Sequence, residues 1–185
     1  MPSRIDGLVK QYAKLVKLPW ERHLAGEQRI WFAIYDKTDE RRLRYQLQEF
    51  EAETTLAGKS WREVDLTDAF ARWMGDFPYK EAYFADPGEV ERLMPEFQES
   101  VVERVRGEFA KGDANTVVAL KGVACLYGLL MVSDVVKALA ANVPGRLLVF
   151  FPGEHEGNNY RLLDARDGWN YLAVPITAHD IGARP

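Results

Sequence analysis

Leu147-Leu-Val-Phe-Phe-Pro-Gly-Glu-His-Glu-Gly-Asn-Asn-Tyr-Arg-Leu-Leu-Asp-Ala-Arg-Asp-Gly-Trp-Asn-Tyr171 is the stretch whose reading decides the fold. Its first five residues are apolar without interruption, as in a strand buried on both faces of a parallel sheet. Pro152-Gly153 predicts the end of that strand. A polar loop then runs from Glu154 to Asn159, followed by a short extended piece, Tyr160 to Leu163. A second turn falls at Asp167-Gly168, and Tyr171 to Ile176 predicts a last apolar strand. In α/β folds, polar loops at the ends of buried strands are where sites are built.

Working outward, the same strand grammar recurs upstream. Arg29 to Tyr35 is β-branched and aromatic, Trp61 to Leu66 is shorter, and Thr116 to Leu120 is apolar throughout. Helical spacing separates them. Ser3 and Asp6 form a capping-box-like start before Ile5, Leu8, Val9, Tyr12, Leu15 and Val16. Thr38 is expected to cap a helix with Leu43, Leu47 and Phe50 inward and Gly58 at its end. Thr67 opens a helix carrying Phe70, Trp73 and Met74.

Asp86-Pro87-Gly88-Glu89 is a further helix start. The stripe Val90, Leu93, Phe97, Val101, Val105 and Phe109 follows, and Pro95 must kink or split that helix. Gly122 to Leu130 is ambiguous between helix and strand. A helix near Ser133 carries Val135, Val136 and Leu139. The alternation predicts a single α/β domain over 1–185: a mostly parallel sheet of about five strands with helices on both faces, resembling a degenerate nucleotide-binding fold.

Composition fits this class: 47% apolar, 28% charged, a net charge of −4, and one cysteine, Cys125. A single cysteine excludes internal disulfides, and its apolar neighbours point to inert packing. No stretch approaches the roughly 20 apolar residues of a membrane span, and Met1 to Val16 is too charged for a secretory leader. A cytoplasmic protein without membrane contact is the expectation. Residues 1–50 hold ten basic and seven acidic groups, 51–113 eight and fifteen. That asymmetry suits docking to other proteins, while net acidity argues against specific nucleic-acid binding by the isolated chain.

The catalytic motifs are thin. Tyr35-Asp36-Lys37-Thr38 stands at the phosphate-loop position and ends like a Walker A motif, but the glycine cradle is missing, so neither nucleotide nor other cofactor is expected. Glu154, His155 and Glu156, with Asp164 and Asp167, form a weak candidate for a divalent metal. No Gly-x-Ser-x-Gly frame surrounds Ser133. The residues with most to offer a partner are Asn158, Asn159, Tyr160, Arg161, Asp164, Arg166, Asp167 and Trp169, where arginines interleave with aromatic rings as interface anchors do. The competing reading of the same residues is an ion-paired loop with its rings in the core.

Three segments carry a resemblance. Tyr-Asp-Lys-Thr-Asp-Glu-Arg-Arg (35–42), Val-Asp-Leu-Thr-Asp-Ala-Phe (64–70) and the long run from Phe150 to Ile176 resemble the BrxB family of bacteriophage-exclusion (BREX) defence systems. The resemblance implies a bacterial cytoplasmic protein working among a PglZ-type phosphatase-like protein, a large ATPase and a site-specific DNA methyltransferase. It supplies no catalytic motif to transfer, and the leading expectation is a non-catalytic adaptor that binds the PglZ-type protein. A degenerate nucleotide-binding protein, a metal-dependent enzyme, or a nucleic-acid contact within the complex are the alternatives.

Overall fold

A computed structural model describes residues 3–165 and 168–179. Five parallel strands form the frame, in the order β2-β3-β4-β1-β7: β1 (Ile30–Tyr35), β2 (Ser60–Asp65), β3 (Thr116–Lys121), β4 (Arg146–Glu156) and β7 (Val174–Ile176). Strands β1, β3 and the first half of β4 are buried almost end to end, which is why their sequences read as unbroken apolar runs.

Alternation along the strands sends side chains to two separate cores. Trp31, Ala33, Tyr35, Val117, Ala119, Leu148 and Phe150 face α1 (Arg4–Lys17) and α2 (Glu40–Leu56), which supply Ile5, Leu8, Tyr12, Leu43, Leu47 and Phe50. Each such fully buried side chain contributes about 1.5–3 kcal/mol. A polar contact deep inside this layer is satisfied: Thr54 donates to the Phe50 carbonyl at 2.7 Å, so the Tyr12 hydroxyl donates to Thr54 Oγ1 at 2.5 Å. Helix α1 begins with the expected capping box between Ser3 and Asp6.

On the other face Phe32, Val118, Leu120, Leu147, Val149 and Phe151 meet α6 (Met94–Phe109) and α7 (Val132–Ala140). Between β2 and β3 the chain also forms the short helices α3 (Ala69–Gly75), α4 (Lys80–Ala85) and α5 (Pro87–Glu91). Pro95 splits rather than kinks, standing in the first turn of α6, where its missing N–H costs no helical hydrogen bond. The ambiguous 122–130 segment is a 3-10 turn, Val123–Leu126.

Two local expectations are corrected. Pro152-Gly153 does not stop β4, which runs on to Glu156 by changing partner from β1 to the antiparallel β5 (Asn159–Leu162). Proline is tolerated at this changeover, where the strand leaves one ladder and enters another, and its carbonyl still accepts from the Leu163 amide at 2.8 Å. Nor is Thr38 the cap ahead of α2. Asp36 is the capping residue, through a 3-10 turn, Lys37–Asp39, that precedes the helix.

Candidate functional site: a hairpin at the carboxyl edge of the sheet

Two strand-to-helix junctions lie at the carboxyl ends of β1 and β2, and they are built alike. Asp36 accepts from the Thr38 amide at 2.9 Å and from its hydroxyl at 2.6 Å. Asp65 accepts from the Thr67 amide at 2.9 Å and its hydroxyl at 2.5 Å. Asp-x-Thr is the sequence signal for both, because a short carboxylate two residues before an N–H closes this turn. The Thr38 hydroxyl, then its amide, hold the Asp36 carboxyl below the ordinary value. For Asp65, burial pushes upward, but the Thr67 hydroxyl and amide outweigh it and the net displacement is downward.

The consequence at the first junction is chemical. The amide that a phosphate loop turns toward its ligand is here taken by the chain's own carboxylate. Lys37, the lysine that mimics Walker A, pairs instead with Asp164. Arg44 of α2 ties the two junctions together, bonding Glu40 at 2.6 Å, Thr67 at 2.7 Å and Asp65 at 3.5 Å. Tyr35 donates to the other Glu40 oxygen, and burial followed by that bond pushes its hydroxyl far above the usual range. Cys125 lies near this group and is exposed rather than packed. Burial around its sulfur, and then the carboxylates of Glu40 and Asp65 against the counteracting Arg44, raise the thiol.

Beyond the junctions stands the hairpin of β4 and β5. Glu156 pairs with Asn159, which leaves a two-residue turn with Gly157 at its first position and φ of +61°. Type II′ turns reserve that position for glycine. At Gly153 the strands come so close that an added Cβ would fall 2.0 Å from the Arg161 carbonyl oxygen. Gly153 is thus a close-approach residue within the ladder, not the turn residue the sequence suggested. Glu154 to Asn159, expected as a loop, is mostly ladder.

Strand alternation then sorts the candidate residues. Tyr160 is 0% exposed, and its hydroxyl donates to the Ala173 carbonyl at 3.0 Å. Its ring packs on Phe32 at 4.8 Å, His155 at 5.0 Å and Trp169 at 5.4 Å between centroids. Trp169 of the two-residue strand β6 (Trp169–Asn170) is half-buried against Phe32 and Phe151. Tyr160 and Trp169 therefore belong to the floor on which the hairpin rests, so for these two residues the reading with rings in the core is the correct one. Burial here pushes the Tyr160 hydroxyl up to about 12.

Asn158, Asn159, Arg161 and Asp164 are exposed. Arg161 pairs across the ladder with Glu154 at 2.6 Å, the two side chains 46% and 70% exposed. Leu163 adopts φ of +52° directly after β5, an uncommon conformation for leucine, and Asp164 follows it to reach Lys37. Arg166 and Asp167 lie outside the described residues. The proposed metal set does not converge: Glu154 and Glu156 are exposed, His155 turns inward to Tyr160, and Asp164 serves Lys37. Among the described residues no three His, Cys, Asp or Glu side chains gather at metal-binding distance.

One residue of this surface escaped the sequence reading. Leu172 is 67% exposed and follows Tyr171, whose amide donates to the Asn158 carbonyl at 3.0 Å. It sets an apolar side chain beside the polar tip of the hairpin. Reading Tyr171–Ile176 as one buried strand hid it; the described strand β7 starts only at Val174. Comparison with family models, curated proteins and solved structures returns no match for this chain.

Proposed function

We propose that this chain is a non-catalytic adaptor of a bacteriophage-exclusion system, and that the hairpin at the carboxyl edge is the surface it offers to the PglZ-type phosphatase-like protein. The observation that carries the reading is the division of labour within the hairpin. Tyr160, Leu162 and Trp169 pack inward, so Asn158, Asn159, Arg161 and Leu172 are held outward on a rigid support. Binding by such a preorganised surface loses less entropy than binding by a mobile loop. Leu172 adds an exposed apolar side chain to a surface that also carries arginine and asparagine, the kinds of residue from which interface centres and rims are made. The large ATPase and the methyltransferase are secondary partners in the same complex, and the setting is the bacterial cytoplasm. Among the described residues no helix is long and apolar enough to cross a membrane.

The nucleotide-binding alternative meets an obstacle in the first junction. Asp36 occupies the Thr38 amide and brings negative charge to the place a phosphate needs. The experiment that tests the adaptor reading is affinity capture of the tagged chain from cells carrying the whole defence cluster. Stoichiometric recovery of the PglZ-type protein is expected. Recovery of the chain alone, or with nucleic acid that survives moderate salt, contradicts the reading.

A further inference from the structure

The opposite, amino-terminal edge of the sheet carries a second feature. Arg29 immediately precedes β1, Lys59 precedes β2, Asn115 precedes β3, and Arg146 opens β4. Because all four strands run parallel, their starts fall at one end, and these side chains line a single cavity of about 350 Å³. Trp20, Arg22, Ala114 and Pro144 also line it, and Glu21 is the one carboxylate in its wall among the described residues.

Arg146 is the anomaly. It is 5% exposed, yet among the described residues no carboxylate stands within 4.0 Å of its guanidinium. Among the described residues, the one hydrogen bond of its guanidinium runs to the neighbouring Gly145 carbonyl, at 2.9 Å. Its Nε is buried without a partner, and so is the indole Nε1 of Trp20. The guanidinium lies 4.7 Å from the Trp20 ring centre and 5.6 Å from that of Trp31. Ring contacts of this kind compensate a buried cation only in part. Arginine cannot escape by losing its proton, so a buried, unpaired guanidinium calls for an anion.

The neighbours add to the demand. Arg29 spends its donors on the Val143 and Arg22 carbonyls, each at 3.0 Å, which fixes its position without neutralising it. Lys59 lies 4.2 Å above the Trp20 ring and donates to Asn115 Oδ1 at 2.9 Å. Burial, then the charge of Arg29, lowers the proton affinity of Arg146, and the Glu21 carboxylate offsets this only in part.

We infer that this cavity is a binding site for the phosphate group of a small phosphorylated molecule. The guanidinium of Arg146 and the ammonium of Lys59 line one space, and such donors match the several acceptor oxygens of a phosphate. The volume sits at the small end of ligand pockets. Trp20, already under two cations, has little ring face left on which a base could stack. The site therefore takes the phosphate of a compact ester, not a nucleoside. It lies at the end of the sheet away from the docking hairpin, so it stands or falls independently of the adaptor reading.

The test is titration calorimetry and thermal unfolding of the full chain with inorganic phosphate, glycerol 3-phosphate, AMP and a short DNA duplex at matched ionic strength. Inorganic phosphate and glycerol 3-phosphate should bind saturably and raise the melting temperature. AMP should bind no better than they do. Lys59→Gln should fold normally and weaken phosphate by about tenfold or more. Arg146→Met should lose the phosphate response while its ligand-free melting temperature stays level or rises, since a buried unpaired charge has been removed. If Arg146→Met does not fold, Lys59→Gln decides alone. Absence of binding at millimolar phosphate, binding unchanged in the variants, or strong binding of the duplex without the small phosphates overturns the assignment.

Discussion

Tyr160 and Arg161 are adjacent in sequence, and the two should respond to substitution on different scales. Tyr160→Ala removes a fully buried ring that touches Phe32, His155 and Trp169 and strips the Ala173 carbonyl of its donor. Truncation of a large buried aromatic costs about 3–5 kcal/mol. At about 2–4 °C per kcal/mol for a chain of this size, the melting temperature should fall by about 6–20 °C. Tyr160→Phe keeps the ring and leaves one carbonyl unpaired, a loss of about 1–3 kcal/mol. Arg161→Glu replaces an exposed opposite-charge pair by like charges at the Glu154 register position, a change of about 1 kcal/mol or less in all. Its melting temperature should fall by no more than about 4 °C. Circular dichroism melts of the isolated variants measure all three. If Arg161→Glu collapses as far as Tyr160→Ala, the arginine pins the hairpin to the sheet, and the division of labour on which the docking surface rests is refuted.

Other outcomes follow from the same geometry. Burial raises the Tyr160 and Tyr171 hydroxyls from 10.0 to about 12, so the neutral forms favour the fold. Their contribution is complete below pH 10.0 and is lost as pH rises toward about 12, which alkaline melts of wild type against Tyr171→Phe will register. Asp36 and Asp65 are displaced the other way, so their contribution is present above the ordinary value of 3.8 and is lost as pH falls below it. Cys125 should react with a disulfide reagent in the native state at one equivalent per chain, slowly at neutral pH because its thiol is raised. The chain should not bind ATP at micromolar concentration in calorimetry; binding that is lost on Lys37→Ala would contradict the Asp36 argument. Duplex DNA should bind weakly and without sequence preference, and salt-resistant selective retention in a gel shift would contradict that expectation.

The sequence made the sheet legible because burial on both faces writes itself as uninterrupted apolar runs. Leu147–Phe151 and Thr116–Leu120 needed no tertiary information. The strand-helix-strand succession from Ile30 to Asp65 was equally plain, since Leu43, Leu47 and Phe50 keep the helical period, but nothing local shows that β3 and β4 come to lie between β1 and β2. Pro152-Gly153 misled because punctuation residues signal a change without saying which: here the strand changes partner and continues. Thr38 was mistaken for the cap because Asp36 and Thr38 both satisfy the preference, and only the geometry of the 3-10 turn separates them. Within the candidate surface, alternation puts Tyr160 and Leu162 inward and Arg161 outward, whereas Asp164 shares the inward parity and is exposed because the chain has left β5 and turns at Leu163, φ +52°. The inward turn of Trp169 depends on packing against Phe32, a residue 137 positions earlier, and local pattern cannot reveal it. Arg146 was invisible as a site for a related reason: a strand-initial arginine reads as exposed until neighbouring strands enclose it.

The central claim is that the outward residues of the hairpin bind the PglZ-type protein and are dispensable for folding. Its most direct test is the equilibrium affinity between the purified chain and the purified PglZ-type protein, for wild type, Arg161→Glu and Leu172→Asp. Each variant is first shown to melt within about 4 °C of wild type. The account predicts a loss of about 2 kcal/mol or more for Arg161→Glu and a comparable loss for Leu172→Asp. Wild-type affinity in both correctly folded variants would contradict it and move the docking surface elsewhere on the chain.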